Sequence, residues 1–125
     1  MGLAVGLVAA SSVKAHHSFA ASYDFRQPVR VTGVVTDVRW VNPHIAFVVE
    51  TKARNGKVTT WQFSGDGATQ LARRGVPQTT IQVGDILRVD GFRALDGSNV
   101  AAAGAVTPVG GKRVFVGPLE DPTPI

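Results

Sequence analysis

Cysteine is absent from this sequence of 125 residues. Disulfide bonds, thiolate catalysis, cysteine-ligated metal sites and a cysteine-linked lipid anchor are therefore excluded, and any metal ion must be held by histidine, carboxylate or amino nitrogen. Charge is sparse and scattered, with 13 Lys and Arg against 9 Asp and Glu and a net charge of +4. Scattered charge favours a solvated surface over a nucleic acid-binding footprint, so we expect no nucleic acid partner.

Residues 1–13 carry no charged side chain and consist of Met, Gly, Leu, Ala, Val and Ser. This run is too short for a membrane span, which needs about 20 apolar residues, so no span is expected in the mature protein. Val13-Lys14-Ala15 places small residues at both positions that determine signal-peptide cleavage, although a positively charged start is missing. We therefore predict a signal peptide over 1–15 and an exported protein, periplasmic or secreted.

Alternation of apolar and polar residues predicts five strands and a short sixth one, all after the apolar start. They span 29–40, 45–51, 58–63, 86–94, 100–106 and 113–116. In the first strand the alternation changes phase just after Gly33, which predicts a bulge or a sharp bend there. Asn55-Gly56 predicts a hairpin with a type I′ turn. Asp66 is expected to cap a short helix that runs through Arg74 and ends at Gly75.

Three meandering strands, a helix and a further hairpin form the order of an OB-type Greek-key barrel. We thus predict an all-β fold, a small barrel of five to six strands with one short helix between strands 3 and 4. The expected divisions are a lead-in at 16–27, the barrel at 28–117 and a loose tail at 118–125. In this fold the loops 41–44 and 95–98 are expected to lie close together and to carry binding.

Two histidine motifs carry a family resemblance. His16-His17-Ser18-Phe19, then Gly33-Val34-Val35, Trp40-Val41-Asn42-Pro43-His44 and Gly84-Asp85 stand in that order. The chain resembles a family of small exported bacterial proteins, a domain of unknown function, with an Ala-His-His-Ser-Phe start and a Trp-x-Asn-Pro-His turn. The resemblance implies export and a single small β-domain, and it implies no activity or catalytic residue.

The histidines His16, His17 and His44 are the candidate metal ligands. Cleavage after Ala15 would make His16 the first residue, so its amino nitrogen and its ring could chelate one ion, with a second imidazole completing the set. Nitrogen donors in a tetragonal arrangement suit Cu(II). The lead-in is long enough to fold back along the first strand toward His44. The alternatives are a polar mature start and a His44 ring that bonds a backbone carbonyl.

A second hypothesis gives the two loops a non-metal role. Trp40, Asn42 and Asp96 would then bind a glycan or a protein partner, and the histidines would be incidental. The strand aromatics also fit a hydrophobic core. The carboxylates are scattered without the spacing of a catalytic pair, and Ser18 is only a sequence neighbour of His17. We therefore predict a binding protein and not an enzyme.

Overall fold

The computed structural model describes residues 23–117. The predicted signal peptide and tail, with His16 and His17, lie outside these residues. The elements in chain order are β1 (Tyr23–Arg39), β2 (Ala46–Lys52), β3 (Val58–Ser64), helix α1 (Ala68–Arg73), a 3-10 turn (Gln78–Thr80), β4 (Ile86–Ala94), β5 (Val100–Pro108) and β6 (Val114–Phe115). The predicted element order, with one short α-helix between strands 3 and 4, is confirmed.

One six-stranded sheet curls on itself to make the barrel. Its strand order is β3-β2-β1-β4-β5-β6, and β3 also pairs with β5 in parallel, Gln62–Ser64 against Val100–Ala102. The long strand β1 makes this closure possible because its residues 23–34 pair with β4 while its residues 34–39 pair with β2. One bent strand therefore joins the two halves of the barrel.

The change of alternation after Gly33 corresponds to a bulge in β1. Pairing with β2 shifts between Val35 and Asp37, so Thr36 is the extra residue, three positions after Gly33, and the predicted bulge in this part of the strand is confirmed. Gly33 has a different role, because a Cβ there would collide with the carbonyl group of Glu50 on β2. The glycine lets the two backbones approach closely where β1 changes partner.

Strand β1 begins at Tyr23, six residues before the predicted start at Val29. The pairing with β4 is irregular between Tyr23 and Pro28, so the alternation that marks a strand is absent from this part of the sequence. The Asp24 carboxylate accepts a hydrogen bond from the Arg26 backbone N–H at 2.9 Å. A side chain thus satisfies a backbone group that the irregular ladder leaves without a partner.

The hairpin at Asn55-Gly56 is confirmed, but the predicted type I′ turn is wrong. Within residues 23–117 positive φ occurs at glycines alone, and Gly56 has φ +87°. The Gly56 N–H donates to the Ala53 carbonyl at 2.9 Å, closing a turn that precedes the left-handed glycine. A three-residue loop of this kind needs one residue at positive φ, whereas a type I′ turn needs two.

Helix α1 closes one end of the barrel through Leu71, which is fully buried. The prediction that Asp66 caps this helix is wrong, because Gly67 is the N-cap and the Asp66 carboxylate accepts from Arg74 Nη1 at 2.8 Å instead. The predicted end is confirmed. The N–H of Gly75, whose φ is +78°, donates to the Ala72 carbonyl, and the Val76 N–H donates to the Leu71 carbonyl. Neither helical segment in residues 23–117 is long and apolar enough to span a membrane.

The core lies between the inward faces of all the long strands. Phe47 and Phe63 stack at its centre with ring centroids 5.3 Å apart. The other large buried side chains are Val35, Ile45, Val49, Leu71, Ile81, Leu87, Val89, Val106 and Val116. Because the inward positions of β2 and β3 fill this core, their outward positions form a surface available to a ligand.

Candidate functional site

The Trp-Val-Asn-Pro-His turn, residues 40–44, holds the start of helix α1. The Thr69 N–H donates to Asn42 Oδ1 at 3.0 Å, and Asn42 Nδ2 donates to Thr69 Oγ1 at 2.8 Å. The Ala68 N–H donates to the Val41 carbonyl at 3.1 Å. Asn42, predicted as a ligand-binding residue, thus serves the backbone of a helix 27 residues away in the way that an N-cap side chain does.

His44, a predicted metal ligand, is half-buried at the end of this turn. Its Nδ1 lies 3.1 Å from the Gly65 carbonyl oxygen. A carbonyl accepts and cannot donate, so Nδ1 carries the hydrogen and the lone pair of the neutral ring lies on Nε2. The backbone beside His44 is also held by hydrogen bonds, because the Ile45 N–H donates to the Asp66 carbonyl and the Gly65 N–H donates to the Ile45 carbonyl. The ring orientation is therefore fixed by the fold.

Trp40, the second predicted ligand-binding residue, is half-buried and packs against the hydrophobic core. It also borders a shallow depression of about 380 Å³ together with Ala68, Thr69 and Ala72 of helix α1. The indole therefore contributes to core packing while one side of it faces this depression.

Asp96, the third predicted ligand-binding residue, orders its own loop. Its Oδ1 accepts from the Ser98 hydroxyl at 2.6 Å and from the Ser98 N–H at 2.9 Å. The hydrogen bond from the Ser98 hydroxyl, followed by that from the N–H, lowers the pKa of Asp96. Arg93 binds the same loop through the Ser98 carbonyl at 3.0 Å and places its guanidinium 5.3 Å from the Trp61 ring centroid. Arg93 thus links the β4–β5 loop to Trp61 of β3, whereas hydrogen bonds link loop 41–44 to helix α1.

Metal-binding side chains do not cluster in the part of the chain that the structure describes. No three His, Asp or Glu side chains of residues 23–117 are grouped so that they could hold an ion. The candidates His16 and His17 precede these residues. His44 is therefore the one predicted metal ligand whose surroundings are known.

A groove crosses the outward side of β1, β2 and β3 and has a volume of about 490 Å³. We call it the β1–β3 groove. It is lined by Tyr23, Asp37, Arg39, Ala46, Phe47, Val48, Gln62, Phe63, Ser64 and Val100. The hydroxyl groups of Tyr23 and Ser64 lie 3.1 Å apart, so the start of β1 meets the end of β3 at one side of the groove. Asp37 and Arg39 form an exposed ion pair of 3.9 Å, which leaves the lining without net charge.

The β1–β3 groove continues toward the β4–β5 loop. An adjoining cavity of about 330 Å³ shares Tyr23 and Val100 with the groove and is also bordered by Leu95, Asp96 and Ser98. Of the predicted ligand-binding residues, Asp96 therefore lies at the end of a continuous concave surface. Asn42 bonds to helix α1 instead, and Trp40 borders the separate depression beside that helix.

Sequence reasoning missed most of the groove residues. Arg39 and Gln62 are outward-facing polar residues of ordinary strands, and their types and spacing carry no motif. Tyr23 reaches Ser64 across 41 positions of sequence. The available signal was the alternation itself, because the residues between the core positions of β2 and β3 must share one outer face.

Comparison with solved structures supports the barrel. Two crystal structures of Rim1, a mitochondrial single-stranded DNA-binding protein of S. cerevisiae, are similar to this chain with TM-scores of 0.52 and 0.50. In each, 8% of residues are identical, and the alignment covers 66% of this chain and 93% of Rim1. The likeness confirms the predicted OB-type fold. A search of curated proteins finds no significant match.

The sequence also matches the profile of a family of unknown function, DUF6152, over residues 5–103. This match covers most of the chain, including the turn at 40–44, helix α1 and strands β1 to β4. The chain belongs to the DUF6152 family.

Proposed function

We propose that this chain is a non-catalytic binding protein that holds an oligosaccharide in the β1–β3 groove. The observation that carries the proposal is the continuous concave surface from Arg39 and Gln62, past Tyr23, to Asp96 in the β4–β5 loop. OB-type barrels bind oligonucleotides and oligosaccharides across this strand face and its adjoining loops.

The chemistry of the groove favours a sugar over a nucleic acid. Its sides offer hydroxyl, amide, carboxylate and guanidinium groups from Tyr23, Gln62, Asp37 and Arg39, while Val48 contributes an apolar surface. Such a mixture matches the hydroxyl groups and apolar ring faces of a sugar. Channels for single-stranded nucleic acid are positively charged along the backbone path. The paired charges of Asp37 and Arg39 do not provide that field.

Glycan-array screening of the purified protein, followed by calorimetric titration of the best glycan, tests this proposal. Gln62→Ala is expected to weaken binding about tenfold, because one or two hydrogen bonds to the ligand are lost. Gln82→Ala is the matched control, since Gln82 is also an exposed glutamine but lies outside the groove. The proposal is contradicted if both variants lose glycan affinity equally. It is also contradicted if the chain captures a protein partner and Gln62→Ala does not weaken that capture.

We also propose that the chain is exported with cleavage after Ala15, and that its histidine motifs are those of exported bacterial relatives. The apolar start followed by Val13-Lys14-Ala15 supports this reading. Mass spectrometry of the protein recovered from the periplasm or the medium is expected to give His16 as the first residue. Recovery of an uncleaved chain from the cytoplasm contradicts it.

A second candidate function, copper binding through His16 and His44 with His17 nearby, is favoured by the position of Tyr23. The Tyr23 hydroxyl bonds to Ser64, and the adjacent Gly65 carbonyl bonds to the His44 ring. His16 precedes Tyr23 by seven residues, a span of up to about 25 Å when extended. The described chain thus begins close to His44, and the lead-in does not have to run back along all of β1.

The His44 ring also has the arrangement common among metal-binding histidines. Its Nδ1 lies 3.1 Å from a backbone carbonyl, and a ring nitrogen that donates to a carbonyl orients many metal-binding histidines. An N-terminal His16 would supply the amino nitrogen and its own ring, so that three nitrogens surround Cu(II).

Titration of the chain that begins at His16 with Cu(II), followed by calorimetry and electron paramagnetic resonance, tests this candidate. One equivalent of Cu(II) is expected to bind. His44→Gln is expected to weaken binding at least about tenfold, because loss of a metal ligand reduces affinity more than loss of a residue that only hydrogen-bonds to a ligand. A glycine added before His16 serves as the control for the amino nitrogen and is expected to weaken binding too. Unchanged affinity in His44→Gln contradicts a shared site. Chelators leave glycan binding unaffected, which separates the two functions.

A further inference from the structure

The outward side of the other half of the barrel carries a second polar surface, built on β1, β4, β5 and β6. Arg30 of β1 pairs with Asp90 of β4, which pairs with Ala105 of β5. The next row, in the same register, holds Thr32, Arg88 and Thr107. Arg113 precedes β6, and its guanidinium lies 4.8 Å from the ring centroid of Phe115, which pairs with Ala105. We call the surface formed by Arg30, Arg88, Asp90 and Arg113 the arginine face.

Asp90 is the anchor of the arginine face. Its side chain is fully buried, yet it lies on the outward side of the sheet, where the flanking arginines cover it. Its Oδ1 accepts from Arg30 Nε at 2.7 Å, and its Oδ2 lies 3.4 Å from Arg88 Nε. A buried carboxylate is tolerated when it is paired, and Asp90 is paired by a hydrogen bond from Arg30 Nε and by an ion pair with Arg88 that lacks hydrogen-bond geometry.

Both contacts to Asp90 run through Nε and leave the arginines partly open to solvent. The side chains of Arg30 and Arg88 are 45% and 40% exposed. Each guanidinium has four more N–H donors on its two Nη atoms. Because the hydrogen bond to Asp90 positions Arg30 and the ion pair keeps Arg88 beside the same carboxylate, less ordering of these side chains is needed when an anion binds.

The charge of the arginine face selects the kind of anion. Three arginines against one aspartate give it a net charge of +2. A phosphate monoester carries about −1.5 to −2 at neutral pH, whereas a carboxylate carries about −1. The planar fork of arginine also matches phosphate oxygens in pairs. We propose that the arginine face binds a phosphate monoester dianion.

This site is separate from the β1–β3 groove, which is lined by other side chains and is electrically balanced. Its test is therefore independent of the oligosaccharide proposal. Two sources can present the same dianion: a free phosphate ester, or the headgroup of phosphatidic acid in a membrane.

The experiment titrates the full chain with inorganic phosphate and follows the arginine Nε–H and backbone amide signals by NMR. We expect saturable shifts at Arg30, Arg88 and Arg113, and affinity about tenfold lower in Arg88→Gln and in Arg113→Gln. Arg54→Gln, on the exposed β2–β3 hairpin, removes the same charge elsewhere and is expected to change affinity less than about twofold. Arg30 is left intact because its replacement would remove the hydrogen bond to the buried Asp90 carboxylate and destabilise the fold.

Melting temperatures of the variants show that each is folded. Absence of saturable shifts at millimolar phosphate, equal weakening by Arg54→Gln, or equally tight binding of acetate overturns the proposal. Co-sedimentation with phosphatidylcholine vesicles containing phosphatidic acid distinguishes the sources. Sedimentation that Arg88→Gln abolishes assigns the site to a lipid headgroup, and phosphate binding without sedimentation assigns it to a soluble ester. Sedimentation that Arg88→Gln leaves unchanged overturns the proposal for membranes.

Discussion

Replacement of Asn42 by alanine distinguishes a structural role of the Trp-Val-Asn-Pro-His turn from a ligand-binding one. The substitution removes the acceptor of the Thr69 N–H, at 3.0 Å, and the donor to the Thr69 hydroxyl, at 2.8 Å. Loss of a capping side chain costs between 0.5 and 2 kcal/mol, typically about 1 kcal/mol. Water replaces the hydroxyl contact because this pair is exposed. We therefore expect the free energy of unfolding to fall by about 1 kcal/mol.

Asn42→Asp is the matched variant. It keeps an acceptor for the Thr69 N–H, lets the Thr69 hydroxyl act as donor, and adds a negative charge at a helix N-terminus, worth about 0.3–1 kcal/mol. Its stability is expected to equal or exceed that of the natural chain. Thr69→Ala, which keeps the backbone N–H, is expected to cost less than Asn42→Ala. Their double-mutant cycle isolates the hydroxyl part of the interaction.

Urea unfolding measures these effects, with an unchanged denaturant slope showing that compactness is preserved. A loss of 1 kcal/mol corresponds to a fall of about 4–8 °C in the melting temperature of a domain of this size. A capping role of Asn42 is refuted if Asn42→Ala leaves the unfolding midpoint unchanged, or if Asn42→Asp destabilises the domain as much as Asn42→Ala does. Gln62→Ala, in the β1–β3 groove, is the control and is expected to leave the midpoint in place.

Two further predictions concern β1 and the β4–β5 loop. Gly33→Ala is expected to lower the free energy of unfolding by about 2 kcal/mol or more, since the new Cβ collides with the Glu50 carbonyl on a neighbouring strand. Chemical denaturation measures this change. An unchanged unfolding midpoint would mean that β1 and β2 can move apart at this position without cost. Carboxyl NMR titration is expected to place the pKa of Asp96 below its ordinary value of 3.8, and Ser98→Ala to raise it, because the Ser98 hydroxyl and N–H stabilise the charged form. A depressed pKa contributes stability above the ordinary value and loses it as the pH falls through the folded value, so Ser98→Ala is expected to flatten the stability profile in that acidic range.

Local patterns account for the parts of the fold that the sequence predicts. Period-two alternation finds β2 and β3 with Phe47 and Phe63 turned inward, and single glycines such as Gly75 mark chain reversals that need positive φ. The same patterns do not show the early start of β1, because the Asp24 side chain supports an irregular ladder there. They indicate the bulge after Gly33 but not the reason for the glycine, which is required by contact with β2 rather than by the change of register.

The candidate site depends on distances that no local pattern contains. Asn42 looks like a loop residue open to a ligand, yet its partner Thr69 lies in a helix that the sequence describes separately. The two loops expected to act together are fastened to different elements, and of their predicted ligand-binding residues Asp96 alone borders the concave surface. The groove and the arginine face arise from strand pairing, which brings ordinary residues such as Arg30 and Arg88 side by side.

The closure of the barrel has a consequence for how a ligand would be felt by the whole molecule. Only a short ladder joins β3 to β5, pairing Gln62, Phe63 and Ser64 with Val100, Ala101 and Ala102. Short ladders exchange their amide hydrogens by local opening well before a domain unfolds. Gln62, Ser64 and Val100 also line the groove. A sugar that contacts both strands would stabilise the pairing of β3 with β5. Slower amide exchange in this short ladder would therefore report that the groove is occupied.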